Sequence, residues 1–205
     1  NRTVWYGMNN GALSAPDTAD LTDFDKCPVC GGALSYGWVN YGHLGGYACA
    51  ECGFKRPMPD FAVTYVAERR VNGTSAVIAS GGKNRLINIP IAGLYNVYNA
   101  LGAISVALEV GVSPDVIRQG LLTYSSVFGR AESTVINGKK TLIQLIKNPV
   151  GASEVIRQIQ GFEKSKLVVI LNDNYADGRD VSWIWDADFE ALANYKQKII
   201  VSGTR

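Results

Sequence analysis

Cys27-Pro-Val-Cys30 and Cys49-Ala-Glu-Cys52 contain all four cysteines of the chain. Two Cys-x-x-Cys pairs a hairpin's length apart can surround one tetrahedral ion, and zinc is the ion such a thiolate set takes. Gly31, Gly32 and Gly53 follow the second cysteine of each pair, where the backbone must curl back and a positive φ is often required. The competing reading is a pair of disulfides, which suits small secreted domains, and this N-terminus shows no signal-peptide pattern. His43 lies between the pairs and, with four thiols available, reads as a loop residue rather than a ligand. A closed four-thiolate site has no open position for water or substrate. The expected zinc is therefore structural, and the chemistry lies elsewhere.

Three other groupings have residue types suited to chemistry. Asn96 and Asn99, in Gly93-Leu94-Tyr95-Asn96-Val97-Tyr98-Asn99-Ala100, sit three apart near the start of an expected helix. That spacing gives them one flank, away from the stripe headed by Leu94. Two amides there offer the mixed donor and acceptor capacity that a purine edge requires, although a helix start rich in capping residues explains them equally well. Gly129-Arg130-Ala131-Glu132 marks an expected junction, where Arg130 could clamp phosphates bidentately or simply pair with Glu132. The segment from Asn172 to Asp186 holds Asp173, Asp177, Asp180, Arg179, Trp183 and Trp185 after an expected parallel strand. The C-terminal ends of such strands are where α/β sheets place ligands. Paired tryptophans suggest a docking surface rather than a solvated turn. No Gly-x-x-x-x-Gly-Lys-Ser/Thr occurs; Gly81-Gly82-Lys83-Asn84 has the wrong spacing and lies in an expected hairpin.

The elements that must position these residues are legible from periodicity. Thr3 to Gly7 reads as a short buried strand and Asn9 to Lys26 as a polar connector. The cysteine module follows, up to about Pro57, with a hairpin of Leu34 to Tyr41 and Gly46 to Ala48. Phe61 to Ala67, Ser75 to Ala79 and Arg85 to Ile91 are strand-like, punctuated by Asn72-Gly73 and Gly81-Gly82. Leu94, Val97, Leu101, Ile104 and Leu108 recur at helical spacing, and Gly111 ends that helix. Ser113-Pro114 then caps and opens another, running to about Leu122. Ser133 to Ile136 and Thr141 to Ile146 pair around Asn137-Gly138. A helix from about Ala152 to Gln160, a strand Lys166 to Leu171, a crossover containing Asp188 to Tyr195 and a strand Lys198 to Val201 complete an α/β pattern with a parallel sheet.

At 205 residues, with 47% hydrophobic and 19% charged residues, the composition is that of an ordinary globular protein. A formal net charge of +2 argues against nucleic acid as a partner. No apolar run reaches membrane-span length, and reduced cysteines fit a cytoplasmic location. Both ends of the chain look cut rather than natural.

Pro90-Ile91-Ala92-Gly93-Leu94-Tyr95-Asn96-Val97-Tyr98-Asn99-Ala100-Leu101, then Gly111-Val112-Ser113 and Gly129-Arg130-Ala131-Glu132, resemble the end of the central ATPase domain of the Mur ligase family. The resemblance implies that Asn96 and Asn99 contact adenine and Arg130 the phosphates of ATP, with Mg as its usual companion ion. Ile146-Lys147-Asn148-Pro149 resembles the motif opening that family's C-terminal domain. Gln144 and Lys147 stand where that motif usually has Asp and His, a departure at the family's ribose contact.

A ribbon of four cysteines inside the central domain, together with Asp177-Gly178-Arg179-Asp180-Val181-Ser182-Trp183-Ile184-Trp185-Asp186, is similar to one branch of the family. That branch is the ligase-like subunit of lipid II isoglutaminyl synthase. The implied organisation is a central-domain part at 1–26 and 58–128, a zinc-ribbon insertion at 27–57, and the start of a Rossmann-like C-terminal domain at 129–205. The implied reaction is ATP-dependent amidation of the D-glutamate α-carboxylate of lipid II to D-isoglutamine. Ammonia would come from a separate class I, GatD-like glutaminase, forming a heterodimer that meets the membrane only through its substrate. One aspartate among Asp173, Asp177 and Asp180 would complete that partner's Cys–His site, and Asp177, followed by Gly178, is the favoured one. This chain by itself is expected to be inactive. The alternatives are another Mur-type amino-acid ligase of peptidoglycan or folate type, or a zinc-ribbon binding module.

Overall fold

A computed structural model describes residues 2–12, 24–41, 44–70, 73–125, 130–160, 162, 165–175 and 178–205. The chain divides into two compact units, Asn1–Ile143 and Gln144–Arg205. The sequence reading instead starts its second domain at residue 129, so the hairpin that follows Arg130 groups with the first unit.

The first unit is built on a four-stranded sheet in the order β1-β4-β5-β6, comprising β1 (Tyr6–Met8), β4 (Phe61–Arg70), β5 (Gly73–Ser80) and β6 (Lys83–Ile89). β1 runs parallel to β4, and β4, β5 and β6 form an antiparallel meander. Gly81 and Gly82 turn β5 into β6 at φ 54° and 71°, the left-handed pair that a two-residue hairpin needs. The register of β4 shifts between Val63 and Tyr65. This bulge lets Val63 and Val66, three residues apart, both point into the core.

Helix α1 (Leu94–Glu109) packs across this sheet. Its stripe of Leu94, Val97, Leu101 and Ile104 is buried with Met8, Phe61, Ile78 and Ile89. Each such side chain contributes about 1.5–3 kcal/mol on burial. Helix α2 (Pro114–Thr123) begins as the sequence predicts, with the Ser113 hydroxyl accepting from the Val116 amide at 3.5 Å, and lends Ile117 and Leu121 to the same core. Strands β2 (Leu34–Tyr41) and β3 (Leu44–Cys49) form a separate antiparallel hairpin. Strands β7 (Arg130–Ile136) and β8 (Lys139–Gln144) pair around Asn137-Gly138, both at positive φ.

In the second unit, β9 (Leu167–Leu171) and β10 (Ile199–Gly203) are parallel, with Leu167 opposite Ile199. Helix α3 (Pro149–Gln160) starts three residues earlier than its apolar period suggests. The reason is a cap: Asn148 Oδ1 accepts from the Gly151 amide at 2.7 Å, and Pro149 occupies the first turn. The crossover holds two short 3₁₀ helices, Ser182–Asp186 and Phe189–Asn194, and α3 packs against both. Among the described residues no helix is long and apolar enough to cross a membrane.

Candidate functional site

The two cysteine turns are built alike. Gly31 N–H donates to Cys27 O (2.9 Å) and Cys27 N–H to Gly32 O (2.7 Å); Gly53 N–H donates to Cys49 O (3.1 Å) and Cys49 N–H to Phe54 O (2.7 Å). Gly31 and Gly53 hold φ 76° and 74°, whereas Gly32, grouped with them by sequence, stays outside the left-handed region. A different constraint acts on Gly32, since a Cβ there would collide with the Glu51 carboxylate.

The turns flank the β2–β3 hairpin and bring four sulfurs together. Cys27 and Cys52 Sγ are 3.6 Å apart, Cys30 and Cys49 Sγ are 3.5 Å apart, and all four lie within 4.8 Å of one another. A tetrahedral ion with sulfur bonds of about 2.3 Å sets the sulfurs about 3.8 Å apart, so the donor set fits a closed, all-sulfur metal site. His43 lies outside the described residues.

Ionisation of the four thiols is mutually dependent. Desolvation opposes the Cys27 thiolate, but the Cys30 and Val29 amides and the adjacent thiols outweigh it, and its pKa is lowered to about 7. Cys30 receives the Gly32 amide, which favours its anion. The neighbouring sulfurs of Cys52 and Cys49, with desolvation, nevertheless push it up to about 12. At Cys52 the Phe54 amide also favours the anion, and desolvation with the Cys27 and Cys49 sulfurs raises the pKa all the same. Crowded thiolates repel, and a divalent cation at their centre removes that repulsion.

The two asparagines of α1 part company. Asn96 is 8% exposed and belongs to the buried face, its Nδ2 donating to Ala92 O at 2.6 Å. This corrects the expectation that both amides lie on one flank away from the Leu94 stripe. Gly93 precedes the helix without a side chain to cap it, so the Asn96 amide turns back to the carbonyl just upstream. Asn99 is exposed. Arg130 opens β7, but its side chain, like Phe128 and Gly129, lies outside the described residues. The next residue, Ala131, is buried and holds φ 59°. A left-handed alanine inside a strand costs on the order of 1 kcal/mol, strain of the kind that collects at functional sites. Sequence gave no sign of it.

At the C-terminal ends of β9 and β10, Asp173 accepts from Arg205 Nε (2.6 Å) and Thr204 Oγ1 (3.1 Å). These bonds, Arg205 first, hold its carboxyl below the ordinary range. Asp180 Oδ1 accepts from the Ser182 amide at 2.9 Å, and the Ser182 side chain and amide lower its pKa. Arg179 lies over the Tyr175 ring at 4.7 Å. Asp173, Asn174, Tyr175, Arg179 and Arg205 line a cavity of about 580 Å³. Tyr175 and Trp185 stand 86% and 85% exposed, and Trp183 is half-buried. Asp177 lies outside the described residues. Gln144 Nε2 donates to Gln158 Oε1 at 3.0 Å, anchoring the start of this unit to α3. Arg205 escaped the sequence reading because its partner, Asp173, is 32 residues away and only the parallel pairing unites them.

Comparison with known proteins defines the class first. A pseudomurein peptide ligase type C from Methanothermus fervidus superimposes with a TM-score of 0.71 at 27% identity, over 98% of this chain and 42% of that one. The fold is that of the Mur ligases. Within that class, residues 145–205 match the family described as MurT ligase C-terminal. The MurT subunit of lipid II isoglutaminyl synthase (glutamine-hydrolyzing) from Streptococcus pneumoniae is 44% identical over 169 residues, 82% of this chain and 37% of that protein. Its counterpart from Staphylococcus aureus is 36% identical over 204 residues, 98% of this chain and 45% of that protein. The chain therefore resembles MurT along nearly its whole length, and spans less than half the length of these relatives.

Proposed function

We propose that this chain is part of the ligase subunit of a lipid II isoglutaminyl synthase. The observation that carries the reading is the likeness to MurT over 98% of the chain, joined to a four-sulfur cluster within a Mur-ligase fold. In the proposed reaction ATP phosphorylates the α-carboxylate of the D-glutamate in lipid II. Ammonia attacks the acyl phosphate, phosphate leaves, and D-isoglutamine forms. Residues 1–26 and 58–128 belong to the central nucleotide domain, 27–57 to a zinc ribbon, and 129–205 to the start of the C-terminal domain. Zinc in the ribbon is structural, its four ligands being Cys27, Cys30, Cys49 and Cys52.

In this reading exposed Asn99 faces adenine, Asn96 supports the turn from inside, and Arg130 contacts the phosphates of Mg-bound ATP. Ammonia comes from a GatD-like glutaminase docked at residues 173–186, where exposed Tyr175 and Trp185 supply the aromatic anchors common at interface hot spots. Two of the three candidate aspartates are already committed, Asp173 to Arg205 and Thr204 and Asp180 to Ser182. Asp177, followed by Gly178, is the carboxylate proposed to orient the partner's catalytic histidine and stabilise its imidazolium. In the complete two-subunit enzyme, Asp177→Asn should suppress glutamine hydrolysis while complex formation and ammonium-driven amidation survive. Wild-type glutaminase rates in Asp177→Asn, Asp173→Asn and Asp180→Asn alike would reduce the segment to an interface only.

A further inference from the structure

Arg56 belongs to none of the groupings above, yet it joins β1, β2 and β3. Its backbone is part of the metal ribbon. The Arg56 amide donates to Tyr47 O at 3.1 Å, Lys55 bridges Ala48, and Phe54 stacks on Tyr47 with ring centroids 5.6 Å apart. Its side chain leaves the ribbon. The guanidinium lies 5.1 Å over the Trp38 ring of β2, and Nη2 donates to Met8 O at 2.7 Å, at the end of β1 in the core sheet. A second tie lies beside it, where buried Asn40 of β2 donates Nδ2 to Asn9 O at 3.1 Å. Asn9 in turn donates its amide to Val63 O of β4 at 2.8 Å.

Gly7 makes the approach possible. A Cβ there would sit 2.6 Å from Arg56 Nη2 and 3.3 Å from the Tyr98 hydroxyl. Tyr98 belongs to α1 and packs on the core. Burial raises its phenol pKa, the Arg56 charge partly opposes that rise, and Tyr6 and Tyr47 are the other titratable groups that act on it.

We infer that Arg56 is a positioning residue that carries the order of the metal ribbon to the end of β1 and, beside it, to Tyr98 on α1. The geometry assigns the ribbon a task beyond its own folding. The ion fixes the turn around Cys49 and Cys52, that turn fixes residues 54–56, and Arg56 fixes Met8 beneath Tyr98. Asn99 follows Tyr98 directly, so a consequence for the nucleotide rests on the proposed function. The coupling itself does not.

The test needs neither ATP nor a partner subunit, so its failure is distinguishable from failure of the ligase reading. In the zinc-loaded chain, Tyr98 is titrated by NMR of its ring carbon, assigned with Tyr98→Phe, and exchange of the Asn9 amide is followed. Arg56→Gln should move the Tyr98 pKa further upward and speed Asn9 exchange about fivefold, the factor for one lost hydrogen bond. Zinc content should stay at one per chain. Gly7→Ala should act in the same direction, and Arg56→Lys, which keeps the charge, should restore most of the Tyr98 titration. Chelation should reproduce both effects in the wild type and add little in Arg56→Gln. Should chelation unfold the chain, the zinc-loaded variants decide by the same two readings. An unmoved Tyr98 titration in zinc-loaded Arg56→Gln overturns the inference. So does chelation that perturbs the ribbon but leaves Tyr98 and Asn9 unchanged.

Discussion

Acidification should strip the ion from the four-cysteine site, and the steepness of that loss follows from the crowding of the thiols. An entering metal takes thiolates, so every proton held by the empty site must leave. Cys30 is pushed up to about 12 and Cys52 is raised, so both are protonated at neutral pH. The protons on Cys30 and Cys52 alone make apparent affinity fall by at least about 100-fold for each pH unit lost. Below neutrality Cys27, held at about 7, also takes up its proton. The slope then steepens to at least about 1000-fold per unit. The sign is set by the protonated thiols, which compete with the metal at low pH, so affinity rises with pH throughout this range.

Competition against a chromophoric chelator from pH 8 to pH 5 reads the slope directly. X-ray absorption of the loaded protein should show four sulfurs at about 2.3 Å. The sulfur pairs at 3.5 and 3.6 Å need to open by about 0.2–0.3 Å to match the edge of that tetrahedron. A slope under tenfold per pH unit, a nitrogen or oxygen in the shell, or full loading in Cys49→Ser would refute the reasoning.

Asn148→Ala should remove the cap of α3 and destabilise the second unit by about 0.5–2 kcal/mol, seen as a lower urea midpoint. The carboxyl of Asp173 is held low in the folded state, first by Arg205 and then by Thr204. Its contribution is therefore present above its unfolded pKa of about 3.9 and lost as pH falls through its folded value, which carbon NMR of the carboxyl should place below that of Asp173 in Arg205→Ala. Under the proposed function, Arg130→Ala in the complete enzyme should lower the ATP-dependent step with little change in thermal midpoint, whereas this chain alone should show no ATP turnover above a mock purification.

Local signals made the frame legible. Two Cys-x-x-Cys turns repeat one hydrogen-bond pattern, so spacing alone marks the four-sulfur cluster. Gly81-Gly82 and Asn137-Gly138 marked their turns because those conformations admit few other residues. The start of α3 is written in the Asn148-Pro149 cap and not in the apolar period, which begins three residues later. The bulge at Val63 to Tyr65 was invisible for another reason. It exists to bring Val63 and Val66 onto one side, and that need arises only when α1 covers the sheet.

The candidate sites divide along the same line. The spacing of Asn96 and Asn99 correctly put both at the start of α1, yet one amide is buried and the other exposed. Helical geometry fixes the angle between two positions, but the neighbouring element decides which angle is inside. Arg56 and Arg205 were unreadable for a stricter reason. Each acts on a backbone carbonyl or carboxylate tens of residues away, Met8 for one and Asp173 for the other. A carbonyl acceptor leaves no trace in residue identity at all, since every residue has one. Gly7 is the indirect mark of that contact, because a Cβ there would meet the guanidinium and have to push it aside. The ribbon is thus joined to the sheet through groups that composition and motif do not record. A ribbon recognised from its cysteines as a staple for itself has a second side, facing β1, where its order is passed on.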